Sequence, residues 1–125
     1  MRRPADAAEA ERRRRALARG RGGEWLAALA LRLKGYRIVD RNVRTPLGEI
    51  DIVARRHDLV VFVEVKARPG LAEAIDAVSF EAERRIVNAA ELWIARQPDA
   101  ATLSWRFDIV AVRPWRWPVH VEDAF

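Results

Sequence analysis

The chain has 125 residues, 50% of them hydrophobic and 33% charged, with 23 basic against 18 acidic side chains and a net charge of +5. That composition suits one soluble globular domain with a single core. Cysteine is absent, which excludes disulfides, thiolate metal sites and cysteine nucleophiles. No apolar run approaches the roughly 20 residues of a membrane helix, and the Arg-rich start lacks the apolar segment of a secretory signal, so no membrane association is expected and the cytoplasm is the expected compartment.

The positive charge is concentrated at the start. Residues 1–22 hold eight arginines, among them Arg12, Arg13, Arg14 and Arg15, against Asp6, Glu9 and Glu11. Their balance of +5 equals the excess of the whole chain, so residues 23–125 are neutral overall. We read 1–22 as a basic arm and 23–125 as the domain. Such an arm is the electrostatic footprint of a nucleic-acid partner, or else a solvated Ala/Arg/Glu helix that serves solubility. Ala5 to Arg19 is helical in composition but weakly periodic, and Gly20, Gly22 and Gly23 break it.

A helix is expected over Glu24 to Lys34, with Trp25, Leu26, Leu29, Ala30 and Leu33 at helical spacing and Gly35 as its stop. Strands follow at about 36–44, 48–55 and 59–67, with Thr45 to Gly48 and Arg56 to Asp58 as turns. After Pro69-Gly70, a helix from about Val78 to Arg96 is expected to bury Val78, Ala82, Ile86, Ala89, Ala90 and Trp93. A long strand at about 103–113 ends at Pro114, and the tail adds a short edge strand. The order is α-β-β-β-α-β, a single α/β domain with a mixed central sheet flanked by helices.

Only two of the 23 basic residues are lysines, and one of them, Lys66, punctures the apolar strand Leu59 to Lys66 two positions after Glu64. The strand period of 2 places Phe62, Glu64 and Lys66 on one face and Val61, Val63 and Val65 on the other. A carboxylate and an ammonium on a largely buried strand are costly unless paired or bound to something. In the preceding strand, Glu49 and Asp51 share one face and Ile50 and Ile52 the other. The turn at 56–58 pairs the two strands, so Asp51 can approach Glu64 and Lys66. Gathered carboxylates repel one another unless a divalent cation neutralises them, and oxygen ligands without His or Cys favour Mg²⁺ or Mn²⁺. A lone E-x-K tripeptide is, by contrast, common on exposed strands as a cross-strand ion pair. His57 beside Asp58 reads as a turn residue, and with His120 far away a zinc site is not expected.

Several segments together resemble one family: Gly23-Glu24 opening a helix, Lys34-Gly35-Tyr36, Arg41-Asn42-Val43-Arg44, Gly48-Glu49-Ile50-Asp51-Ile52-Val53, Val61 to Arg68, and Arg106-Phe107-Asp108-Ile109-Val110. They look like the YraN family, small bacterial proteins assigned to the restriction-endonuclease-like superfamily and similar to Holliday junction resolvases. The resemblance implies a PD-(D/E)xK nuclease core in which Asp51 is the motif aspartate, Glu64 and Lys66 the (D/E)xK pair, and Glu24 the helix acid that completes the metal site. It implies a Mg²⁺- or Mn²⁺-dependent endonuclease on DNA, including branched or junction DNA, with the Val65 carbonyl as a further ligand and Lys66 positioning the attacking water. The chain departs from the family in having Ala82 where many relatives carry a lysine; if that lysine touches the scissile phosphate, either Arg84 or Arg85 substitutes for it or activity is weakened.

On this reading Asp51, Glu64 and Glu24 hold the metal, while Arg68, Arg84, Arg85 and the arm arginines contact phosphates. Glu49 is ambiguous, equally able to pair with Arg68 or Arg44. The partner expected is nucleic acid, with a homodimer left open. The competing readings are a non-catalytic nucleic-acid-binding module whose acids and Lys66 form a structural ion-pair network, and a scaffold whose Trp115/Trp117 tail docks a partner. Those two tryptophans suit base stacking or an interface, or simply cover a sheet edge.

Overall fold

A computed structural model describes residues 23–125. It opens on helix α1, residues 23–33, followed by strands β1 (Arg37–Thr45), β2 (Gly48–Arg56) and β3 (Leu59–Ala67). A short helix α2 (Leu71–Asp76) and the long helix α3 (Phe80–Ala95) lead to β4 (Ser104–Val112) and β5 (Val119–Val121). The five strands form one mixed sheet in the order β1-β2-β3-β4-β5. β1, β2 and β3 are an antiparallel meander, β4 lies parallel to β3, and β5 returns antiparallel to β4. Among the described residues, no helix is long and apolar enough to cross a membrane.

The sheet is covered on both faces, and the sequence of β3 says why. Val60, Val61, Phe62 and Val63 have no exposed surface, the continuous apolar run expected of a strand buried from two sides. On one face Ile52, Ala54, Val61, Val63 and Val110 pack against Ala27, Ala28 and Leu31 of α1. On the other, Val53, Val60 and Phe62 meet Ala89, Ala90 and Ile94 of α3. Burying these side chains is the main driving force, each large one contributing about 1.5–3 kcal/mol.

Three expectations change. The buried stripe of α1 is Ala27, Ala28, Ala30 and Leu31, whereas Trp25 and Leu33 are 58% and 71% exposed. Small alanines let the helix lie close on the sheet, and the large residues on its flanks are left outside. The expected helix from Val78 begins at Phe80, with the Ser79 hydroxyl capping it by accepting from the Ala82 N–H at 3.1 Å. Its buried positions are Ile86, Ala89, Ala90 and Ile94, while Val78, Ala82 and Trp93 are only partly covered. Finally, α2 was not expected: at six residues it is too short to show a period and holds its place through the buried Ala74.

The β1–β2 hairpin is tied at its turn by Thr45, whose hydroxyl donates to the Gly48 carbonyl at 2.8 Å and accepts from the Leu47 and Gly48 N–H groups. Gly48 is also where the hairpin meets α3. A Cβ there would stand 2.7 Å from the Arg85 carbonyl oxygen and 2.9 Å from the Arg85 Cβ. The glycine is therefore required by close backbone approach.

Candidate active site

The regular ladder between β2 and β3 runs from Arg56↔Leu59 to Ile52↔Val63 and stops there. One residue beyond, the Asp51 carboxylate accepts the Val65 N–H at 2.8 Å. A side chain thus satisfies a buried backbone donor where the strands part. The same irregularity breaks the alternation of β2: Ile50 packs with the α3 cluster although Ile52, two residues on, packs with the α1 cluster. The expected shared face for Ile50 and Ile52 is therefore not found.

Glu64 follows Val63 into this opening, and Lys66 reaches back along the strand so that its Nζ lies 3.0 Å from Glu64 Oε1. Both side chains are largely covered, 14% exposed for Glu64 and 22% for Lys66. The Asp51 charge bears on Glu64, so ionising the second of these two carboxyls is disfavoured. Burial, then the Asp51 charge, pushes Glu64 up to about 7, and Lys66 offsets only part of that. Asp51 is also raised, by burial, against the Val65 hydrogen bond and Lys66. Glu24, in the first described turn of α1, is raised by burial and by Asp51. With the Asn42 amide turned so that its nitrogen faces the acid, it donates to both Glu24 oxygens at 3.1 and 3.3 Å. Asn42 has φ 49°, a left-handed conformation that asparagine tolerates better than most residues.

The remaining sequence-derived residues divide. Glu64 and Glu49 line a groove of about 550 Å³ between the β1–β2 turn and the start of α3, closed by Ala82, Arg85 and Ile86. Ala82 thus stands on the groove wall, and of the two exposed arginines Arg85, not Arg84, lines the groove beside it. Glu49 is exposed and pairs loosely with Arg44 at 3.8 Å, which decides between the two arginines considered for it. Arg68 is exposed just past β3, its Nη1 donating to the Ala67 carbonyl at 2.8 Å. Arg12 to Arg15 lie outside the described residues. A smaller hollow of about 350 Å³, lined by Gly35, Arg37, Arg55, Arg56 and His57, lies at the other end of the meander and contains no acid. His57 itself occupies the β2–β3 turn with φ 56°.

The model of the uncharacterised protein family UPF0102 matches residues 23–112, nearly all of the described chain. The chain belongs to the UPF0102 family. This is the group to which the motifs point as YraN. A UPF0102 protein of Chelativorans sp. (strain BNC1) is 66% identical over 113 residues, 90% of this chain and 91% of the relative. One from Mesorhizobium japonicum is 65% identical over 113 residues, 90% of each chain, and one from Rhizobium meliloti is 60% identical over 114 residues, 91% of this chain and 93% of the relative.

A second buried acid was missed by sequence reasoning except as part of a motif. Asp108 on β4 has no exposed surface. Arg106 grips it with two hydrogen bonds, Nε to Oδ1 at 2.8 Å and Nη2 to Oδ2 at 2.7 Å. His120 Nε2 lies 2.5 Å from Oδ2, and the Asp123 N–H donates to Oδ1 at 2.9 Å. The Arg106 guanidinium also donates to the Tyr36 hydroxyl at 3.0 Å, and Lys34 Nζ is 3.0 Å from His120 Nδ1. A charged lysine only donates, so Nδ1 accepts and the Nε2 proton faces Asp108. The partners of this cluster lie up to 86 residues apart, which no local pattern reveals.

Proposed function

We propose that this protein is a metal-dependent endonuclease that hydrolyses phosphodiester bonds in DNA on a restriction-endonuclease-like core. The observation that carries the reading is that Asp51 and Glu64 stand half-buried where β2 and β3 part, with Lys66 3.0 Å from Glu64 and a groove alongside. Two carboxyls that oppose each other's ionisation form a site suited to a divalent cation, which would compensate that repulsion. Among the described residues no three acidic or histidine side chains form a ready-made cage. Mg²⁺ is commonly held by one or two carboxylates plus substrate phosphates, so the donor set fits it or Mn²⁺. Asp51 and Glu64 would hold the ion, with Glu24 acting through water.

When bound, such an ion polarises a phosphoryl oxygen and lowers the pKa of a bound water. Lys66 would orient the attacking water and face the negative charge that develops on the phosphoryl oxygens. Arg85, on the groove wall beside Ala82, takes the role of contacting the scissile strand, and Arg68 and the N-terminal arginines hold phosphates at a distance.

The second reading, a non-catalytic nucleic-acid-binding module, is favoured by one feature: Lys66 is already engaged by Glu64, as in a self-contained ion-pair network. Cleavage of duplex, single-stranded, flap and four-way-junction DNA with Mg²⁺ or Mn²⁺ separates the two. Wild type should cut at least one of them, and Lys66→Met and Glu64→Gln should lose at least about 100-fold in rate at matched folding while still binding DNA. A wild type that binds but cuts nothing on the panel would make the module the better reading.

A further inference from the structure

The end of the sheet beyond Lys66 carries an aromatic and cationic surface that the proposed chemistry does not use. β3 and β4 run parallel with Lys66 opposite Ala111, and the Arg68 N–H bonds the Val112 carbonyl at 3.1 Å, so residues 113–118 continue from the same end as the candidate site. No more than about 14 Å of chain separates Ala111 from Trp115. The Trp115 side chain is wholly exposed and Trp117 is 55% exposed, so Trp115 covers no sheet edge and Trp117 does so only in part. Trp115 has φ 58°, a conformation that is rare and costly for a bulky side chain and here holds the indole out in water. Pro114 and Pro118 bracket the segment and stiffen it, which lowers the entropy lost when the rings are engaged. Trp25, exposed in the first turn of α1, belongs to the same end, because Gly23 stands against Val112 and Ala67.

Charge decides what such rings would take. Lys66 is answered by Glu64, but residues 111–118 contain Arg113 and Arg116 and no acid, and the exposed Arg68 adjoins them through its N–H bond to Val112. Arg113 Nε is buried and has no hydrogen-bond partner among the described residues. A purely apolar partner would leave these cations unanswered. Unpaired nucleotides answer both, with base faces for the indoles and phosphates for the arginines. We infer that Trp115 and Trp117 form a stacking platform for unpaired bases, so that the substrate class is DNA with a single-stranded segment leading to the site. This deepens the proposed function and rests on it for the word substrate, though the binding itself does not.

The test is fluorescence anisotropy on the full chain in EDTA, where cutting does not enter, with a dye-labelled oligothymidylate and a blunt duplex of equal length. Trp115→Ala should weaken single-strand binding about 5- to 150-fold and leave duplex binding within about twofold, and Trp115→Phe should retain most of the affinity. Trp115→Ala/Trp117→Ala should lose more than the single variant. Since Trp115 touches little, its replacement should not unfold the protein. No single-strand binding by wild type, no loss in the variants, or equal loss on both DNAs would overturn the platform. So would an altered sedimentation coefficient with unchanged DNA affinity, which would make this face a contact between copies. A wild type that cuts DNA while Trp115→Ala binds normally overturns the platform alone. A wild type that cuts nothing but shows the selective single-strand loss supports the platform and overturns only the nuclease.

Discussion

A buried acid and a half-buried one lie one register step apart on neighbouring strands, Asp108 opposite Val63 and Glu64 opposite Ile109, and their environments push them in opposite directions. Around Asp108 burial alone would raise the pKa, but hydrogen bonds from His120, Arg106 and the Asp123 backbone overcome it and hold the group at about 2. Glu64 is half-buried with a single cation and a neighbouring carboxylate, and rises to about 7. What separates them is the count of donors. Asp108 has four, spread over both oxygens, whereas Glu64 has the Lys66 ammonium alone and faces the Asp51 charge. A satisfied buried ion is a clamp joining β4, β5 and the start of β1; an unsatisfied one is a group held ready for a ligand.

The largest effect should come from breaking the clamp. Asp108→Asn keeps the shape but removes the charge that answers Arg106, whose other acidic neighbour, Glu122, is 3.8 Å away and half exposed. Losing one partner of a buried pair typically costs about 3–5 kcal/mol. Urea denaturation should show a loss of that size, whereas Glu64→Gln should cost little or nothing at pH 7. Similar losses at both positions would erase the distinction between clamp and site.

A smaller effect is expected at Gly48, which frames the groove on the site side. Gly48→Ala puts a methyl within 2.7 Å of the Arg85 carbonyl, backbone that cannot swing aside. The hairpin or α3 must shift, at a cost of about 1–3 kcal/mol. The denaturation midpoint should fall accordingly, and Gly35→Ala, at φ 93° with only the Arg56 Cδ in ordinary contact at 3.9 Å, should differ in mechanism by straining its own backbone. An unchanged midpoint for Gly48→Ala would mean that α3 is not seated on the hairpin as described.

The meander, β4 and the pairing of Glu64 with Lys66 were legible because strand alternation acts locally and the interrupting charges stand out in apolar runs. The approach of Asp51 to Glu64 followed from the hairpin turn at 56–58. The face of α1 differs from expectation because Trp25 and Leu33 offer more apolar area to bury than alanines, while the sheet selects for small size. The split between Ile50 and Ile52 was hidden because it depends on Asp51 bonding the Val65 N–H, a side-chain event that breaks the strand period. Asp108 was unreadable as a clamp for a different reason: its ring of partners, Tyr36, Arg106, His120 and Asp123, assembles only when β1, β4 and the tail meet.

The finest comparison between the two acids is their pH dependence, which must have opposite signs. Glu64 binds more protons folded than unfolded between its ordinary value of 4.5 and about 7, so its contribution to stability is fully present below 4.5 and lost as pH rises through about 7. Asp51 and Glu24, both raised, act in the same sense. Asp108, held at about 2, contributes stability above 3.8 that is lost as pH falls through about 2, outside that window. In EDTA the melting temperature should therefore decline by a few degrees from pH 5 to pH 8 through the carboxyl pair. Glutamine resembles the protonated acid, so Glu64→Gln should match wild type near pH 5, exceed it near pH 8 and flatten the slope. Millimolar Mg²⁺ should raise the wild-type melting temperature most at pH 8, where no proton has to leave, and leave Glu64→Gln nearly unmoved. A wild-type melting temperature that rises across this range, or a variant with the same slope as wild type, would show that Glu64 does not take up a proton in this window.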